Sequence, residues 1–358
     1  MADKLAQLRI KIDALDKNLQ TLLNERAKLA QEVALAKNSS SDTNFYRAER
    51  EAQVLEKIKQ RNLGPLSNEE VARLFREIMS ACLALEQVMT IAFLGPEGTF
   101  TQSAALKHFG HSVKTLPLTS IRDVFREVES GNASYGVVPI ENSTEGVISH
   151  TLDQFVNSNL NICGEVELRI HHHLLSKLSS LDEIKCVYSH QQALAQCREW
   201  LDVNLPGIEQ KSVSSNAEAA RIAANETAAA AIAGDMAAEI YHLDILVNSI
   251  EDEPDNTTRF LIIGKRETPA CGKDKTSLLI STQNRPGALH SVLAPLVNNN
   301  ISMTRIESRP SRRGMWDYIF FIDCEGHRDD ERVAKAIAEL EQEASFVKVL
   351  GSYPRAVL

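Results

Sequence analysis

The 358-residue chain is 43% hydrophobic and 24% charged, with a formal net charge of -9. That length exceeds one ordinary core and predicts two or three domains. The acidic balance argues against a nucleic-acid binder, because no basic face large enough to neutralise many phosphates can be assembled without offsetting acids, so small-molecule partners are expected. There is no apolar run of about 18 residues, and the N-terminus MADKLAQLRIKID has no signal-peptide core; a cytoplasmic protein with no membrane association is the expectation.

Residues 1–89 read as helices. Leu5, Leu8, Ile12, Leu15, Leu19, Leu22, Leu29 and Val33 recur at three- and four-residue spacing, which predicts one helix from about Lys4 to Lys37. Arg26 interrupts that apolar stripe. A buried arginine needs an anion beside it, either a protein carboxylate such as Glu51 or a ligand. Lys37 lies roughly 20° around the helix from Arg26, on the same face, whereas Arg9 lies about 25 Å away along a straight helix. Arg9 and Arg26 of one chain therefore cannot close on one small anion; a second chain with its long helix antiparallel can supply the missing arginine. After the polar NSSSDTN loop, a second helix is expected from about Arg47 to Arg61, and Ser67 with Glu70 forms a capping box for a third.

These residues, Arg9, Arg26, Lys37 and the REREAQVLEKI run containing Arg50 and Glu51, resemble the all-helical chorismate mutase family over nearly all of residues 4–89. The resemblance implies an intertwined homodimer, or a higher homo-oligomer, with a partner-chain arginine in each site. It also implies the Claisen rearrangement of chorismate to prephenate. That reaction needs no nucleophile: cations clamp two carboxylates, and a donor such as Lys37 stabilises the charge growing on the ether oxygen. The sequence departs from enteric members of the family at three places. Glu86 stands where glutamine is common at the ether oxygen, Cys82 at a serine position, and Arg47 where an aspartate lies near the ring hydroxyl, leaving Glu51 as the candidate for that contact.

From Thr90 to Gly264 short apolar runs (IAFL, YGVVPI, CVYS, AAAAIA) alternate with helical stretches, the pattern of an α/β domain with a mainly parallel sheet. GPEGTFT, PIENSTEG, YSHQQALAQC and NTTRF fall where strands end, the side on which open α/β sheets bind ligands. Together the four motifs resemble prephenate dehydratase across residues 90–268, a fold with two subdomains of the periplasmic-binding-protein type. The resemblance implies that prephenate loses water and CO2 to give phenylpyruvate, with no cofactor and no metal. It places Thr258 at the departing hydroxyl and Asn142, Ser189 and Gln196, with Glu141 beside them, around the substrate. Arg259 reads equally well as a site residue or an ion-pair partner. The run His171, His172 and His173 reads as structural, since neighbours on a strand face opposite ways. The six cysteines (Cys82, Cys163, Cys186, Cys197, Cys271 and Cys324) show no CxxC spacing and lie mostly in apolar segments, so reduced core thiols are expected.

The polar stretch KRETPACGKDK reads as a linker. The tail, 269–358, then gives the βαββαβ order of a ferredoxin-like α+β domain. GALH and ESRP resemble the paired motifs of ACT domains, amino-acid sensors that bind phenylalanine in dehydratases of this type. The implied effector residues are Gly287, Ala288, Leu289, Glu307, Ser308 and Arg309, and deleting 269–358 is expected to abolish phenylalanine inhibition yet leave measurable dehydratase and mutase turnover. A mutase fused to a dehydrogenase would need GxGxxG after a strand, which is absent from the sequence.

Overall fold

The computed structural model describes residues 2–38, 46–283, 285–310 and 318–357; most of the predicted NSSSDTN loop and the start of the predicted strand from Met315 lie outside them. Helix α1 (Ala2–Asn38) is 37 residues long, about 55 Å at 1.5 Å per residue. Helices α2 (Ala48–Arg61) and α3 (Asn68–Ala84) pair through Leu55, Ile58, Ala72 and Met79. The Ser67 hydroxyl accepts from the Glu70 N–H at 3.1 Å, as the capping box predicts. The apolar stripe of α1 is different: Leu8 is 48%, Leu15 66% and Leu29 61% exposed, so a single chain leaves it uncovered.

The middle segment builds two sheets. Its first part runs β1 (Thr90–Leu94), α4 (Phe100–Phe109), β2 (Lys114–Leu118), α5 (Ile121–Ser130), β3 (Tyr135–Asn142), β4 (Gly146–Val147), α6 (Ser149–Asn157) and β5 (Asn161–Arg169). The chain then crosses into β6 (His173–Ser176), β7 (Cys186–His190), α7 (Gln191–Gln196), α8 (Arg198–Asn204), β8 (Glu209–Val213), α9 (Asn216–Ala223), β9 (Ala229–Ala233), α10 (Asp235–Tyr241) and β10 (Asp244–Val247). It returns to the first sheet as β11 (Thr257–Gly264). The strand orders are β2-β1-β3-β11-β5, with β4 on β3, and β10-β6-β9-β7-β8. Both sheets are mixed rather than mainly parallel as expected, since the strands at the crossings between them, β5, β6, β10 and β11, pair antiparallel. The chain crosses between the sheets twice, through irregular segments at 170–172 and 248–256, so two connections join the subdomains. The all-alanine face of β9 lets α9 and α10 pack closely on it.

The tail forms β12 (Asp274–Thr282), α11 (Ala288–Asn298), β13 (Met303–Pro310), β14 (Tyr318–Glu325), α12 (Glu331–Glu343) and β15 (Phe346–Pro354). The order β13-β14-β12-β15, antiparallel throughout, is the ferredoxin-like sheet. Two expectations need correction here. The expected linker is exposed over most of its length but ends inside the fold: Asp274 and Lys275 are buried, because both already belong to β12 and Lys275 is held by Glu165 of β5, and Thr268 is buried as well. The tail is not a separable module. Its Leu279, Phe321, Leu350 and Tyr353 share one core with Leu152, Phe155 and Ile162 of the middle segment. At Gly351 the two approach so closely that a Cβ would lie 2.2 Å from the Ile162 carbonyl oxygen. Removing 269–358 would strip that core open.

Candidate active sites

In the helical segment α1, α2 and α3 bring four of the predicted residues into one electrostatic neighbourhood. Glu86, just past α3, has its pKa raised by burial against the opposing pull of Lys37 and then Arg26. Burial also raises the Glu51 pKa, opposed by Arg76 and then Arg26. Glu51 Oε2 and Glu86 Oε2 are both buried without a hydrogen-bond partner. Two carboxylates with spare acceptor capacity beside cations suit a site built to receive a polar ligand. The ion-pair partner of Glu51 is Arg76 at 3.5 Å, a residue that the apolar periodicity of α3 did not single out, rather than Arg26. Arg50 is exposed at the start of α2, and Arg9 is exposed far along α1, outside this group.

The middle segment has a tighter constellation. Asn142 ends β3 and its amide donates to Thr258 Oγ1 and to Asn256 Oδ1, each at 2.7 Å. Its Oδ1 accepts from the Thr144 N–H and hydroxyl and from the Glu145 N–H, at 3.0, 2.7 and 3.0 Å. Every hydrogen-bonding atom of this side chain is thereby used, so Asn142 fixes geometry. Thr258 Oγ1 accepts one bond and has a hydroxyl proton left to donate. From the second subdomain, at the end of α7, Gln196 reaches across. Its Oε1 accepts from Asn256 at 3.3 Å and meets His172 Nε2 at 2.9 Å, while its Nε2 faces Thr144 Oγ1 at 3.2 Å and Glu145 Oε1 at 3.3 Å. Asn256, Thr144, Glu145 and His172 were missed in sequence. Asn256 was recoverable, since it lies two residues before Thr258 and so faces the same way.

Two predicted residues lie elsewhere. Ser189 is fully buried, bonded to the Ile232 carbonyl at 2.7 Å and Asn216 Oδ1 at 3.1 Å, so it braces the end of β7. Glu141 precedes Asn142 and therefore points to the opposite face of β3, where its carboxylate meets Arg305 of β13 at 2.9 Å. Arg259, behind Thr258 in the same sense, is an ion-pair partner. It binds Glu165 at 2.8 Å and Asp323 at 2.6 Å, with Tyr353 at 3.1 Å. Lys275 and Ser277 complete this buried cluster on Glu165 and Asp323. The three histidines each have local partners: His171 meets Glu251 at 2.7 Å, His172 meets Gln196, and His173 accepts from the Ser249 N–H at 3.0 Å.

In the tail, Gly287 takes a φ of 82° ahead of α11, with no atom within 4 Å of where a Cβ would stand. A side chain there would meet backbone strain rather than crowding. Register puts Arg309 and Pro310 of β13 opposite Ile319 and Tyr318, which face Ser281 and Thr282. GALH and ESRP thus lie at the same end of the sheet. Arg309 is also tied to the middle segment, with Asp153 at 2.9 Å and the Ser149 carbonyl at 2.5 Å. No described helix is long and apolar enough to cross a membrane.

Comparison with known proteins agrees with this three-part reading. The chain matches the family described as Chorismate mutase type II over residues 8–87, Prephenate dehydratase over 91–268, and ACT domain over 276–342. It is 57% identical to a bifunctional chorismate mutase/prephenate dehydratase of Stutzerimonas stutzeri, covering 100% of this chain and 99% of that protein. The Pseudomonas aeruginosa protein of the same description is also 57% identical, over 99% of each chain. Among solved structures, the prephenate dehydratase of Arthrobacter aurescens in complex with L-Phe is 35% identical with a TM-score of 0.70, covering 75% of this chain and 90% of that one. From mutase helices to effector sheet, the chain belongs to the bifunctional chorismate mutase/prephenate dehydratase family.

Proposed function

We infer that the protein converts chorismate to prephenate and prephenate to phenylpyruvate, under feedback inhibition by phenylalanine, as a cytoplasmic homodimer or higher homo-oligomer. The observation that carries the dehydratase half is the saturated Asn142 amide presenting Thr258. With Oγ1 already accepting, the Thr258 proton is directed outward to the hydroxyl that leaves prephenate. Asn142 strengthens that donation by polarising the threonine oxygen. A threonine remains a weak acid, so Thr258 assists departure by hydrogen bonding while loss of CO2 and aromatisation of the ring supply the driving force. Gln196 holds the second subdomain over this face and helps to exclude water.

In the mutase half, Arg26, Arg50 and a partner chain's Arg9 clamp the carboxylates of chorismate. Lys37 and a protonated Glu86 donate to the ether oxygen, and Glu51 accepts from the ring hydroxyl. Support for the second chain is the uncovered leucine stripe of α1 together with the distance of Arg9 from Arg26. Gly287, Ala288 and Leu289 with Glu307, Ser308 and Arg309 form the phenylalanine site. The ACT sheet then speaks to the catalytic strands through Arg305–Glu141 and Arg259–Asp323, one residue behind Asn142 and Thr258 respectively. Incubating the purified chain with chorismate alone tests the whole reading: phenylpyruvate should accumulate after a prephenate lag, and phenylalanine should suppress it. Accumulation of prephenate without phenylpyruvate would refute the dehydratase assignment.

A further inference from the structure

We propose that Arg76 is a positioning residue of the mutase: it holds Glu51 in place while mooring the mutase site to the C-terminal end of dehydratase helix α4. The proposal rests on the reading of Glu51 as the acceptor of the substrate ring hydroxyl. The Arg76 side chain is 8% exposed. Its Nη1 stands 3.5 Å from Glu51 Oε2 and also donates to the His108 carbonyl. His108 is the penultimate residue of α4, so that carbonyl has no intrahelical partner and lies at the negative end of the helix dipole. One guanidinium thus serves a mutase carboxylate and a dehydratase helix end together.

The surroundings leave this joint little freedom. Against Gly110, the residue that ends α4, Ser80 of α3 packs so closely that a Cβ there would lie 2.5 Å from the Ser80 Cβ. Glu77 takes the His111 N–H at 3.0 Å and the His111 ring at 2.9 Å. Tyr46, just ahead of α2, is buried against Phe109 and Tyr135, with its hydroxyl 2.9 Å from His108 Nε2. The start of α2, which carries Glu51, and α3, which carries Arg76, are therefore both set by the dehydratase domain. At 3.5 Å, Arg76 orients Glu51 by charge without occupying its oxygen, and Oε2 stays free for a substrate donor.

The charged and titratable groups facing Glu51 are Arg26 from α1, Arg76 from α3, Tyr46 ahead of α2 and Tyr135 from β3. Lys107 and His108 of α4, Cys163 and Glu165 of β5, and Arg355 line the same small cavity. Burial, and then Arg76, hold His108 well below the usual imidazole range, so it stays neutral and adds no competing charge. Arg76 is the largest influence opposing the burial of Glu51. Its removal raises the Glu51 pKa further.

The test uses the full chain and measures mutase kcat, KM and pH profile for Arg76→Gln, Arg76→Lys and Glu51→Gln, with dehydratase turnover as an internal check on folding. For Arg76→Gln, mutase kcat should fall about tenfold or more with a smaller change in KM, and the acid limb should move to higher pH while dehydratase kcat/KM holds. Lysine keeps the charge but lacks the fork, so Arg76→Lys should retain the limb and lose roughly threefold to tenfold in kcat. An unmoved acid limb in Arg76→Gln, a parallel loss of both activities, or wild-type kcat in Arg76→Lys would each overturn the proposal. Survival of the acid limb in Glu51→Gln would instead overturn the assignment of Glu51 on which it rests.

Discussion

The two active sites of this chain are built on opposite plans. The dehydratase constellation is closed within one molecule: Asn142, Asn256, Gln196 and Thr258 bond to one another, with Gln196 reaching in from the second subdomain. The mutase region is open, with two carboxylate oxygens that accept no hydrogen bond, an arginine stranded along α1 and a leucine stripe facing outward. A reaction that removes a hydroxyl needs one donor aimed at one atom, which a saturated amide can fix. A rearrangement that compresses a flexible dianion needs cations from several directions, and a single 37-residue helix cannot supply them alone.

Mixing inactive variants tests this contrast most severely. Arg9→Ala and Arg26→Ala chains should each lose nearly all mutase activity, and an equal mixture allowed to exchange should recover about one quarter of it. That figure follows because half of the random dimers are mixed and each of these has one intact site in two. An equal mixture of Thr258→Val and Asn142→Ala chains should recover no dehydratase activity, and recovery there would break the contrast. Next in size is Thr258→Val alone, for which dehydratase kcat should drop by about 10²–10³. Thr258→Ser should keep most of it, and mutase turnover should be unaffected. Arg259→Met leaves Glu165 and Asp323 buried with one cation fewer. A stability loss of about 3–5 kcal/mol is expected in chemical denaturation. The smallest effect is one of shape: if Glu86 donates as proposed, mutase kcat/KM should fall as pH rises through its raised pKa, because only the protonated carboxyl can donate. Glu86→Gln donates at every pH and should flatten that limb, leaving the dehydratase profile unchanged.

Much of this was legible in the sequence because strand alternation and helix spacing are local rules. The α1 stripe, the Ser67 cap, the ferredoxin-like order of the tail and the strand-end position of Asn142 all follow from residues a few places apart, whereas NTTRF, expected where a strand ends, opens β11, whose antiparallel run beside β3 brings Thr258 to the same edge. The same alternation would have placed Glu141 and Arg259 behind the sheet had it been applied to them. What stayed hidden was long-range. His172 reaches Gln196 and Arg76 reaches His108 only because separate elements fold together, and neither partner carries a periodic mark. Lys275, at the end of the expected linker, was hidden for the same reason: a lysine in a polar run looks solvated, and its partner Glu165 lies 110 residues away.

The core shared by Leu279, Phe321, Leu350 and Tyr353 with Leu152, Phe155 and Ile162 has a calorimetric consequence. Sensor and first catalytic subdomain have no separate interiors to lose, so they should melt in one cooperative transition, with the buried Arg259 cluster rupturing at the same temperature. Helix α1, held in one chain by few buried side chains, should unwind earlier and at a temperature that rises with protein concentration. Two endotherms are therefore expected from three sequence domains, and the boundary between them falls at the end of α1, after Asn38, rather than at 89 or 269, because α2 and α3 are anchored to α4.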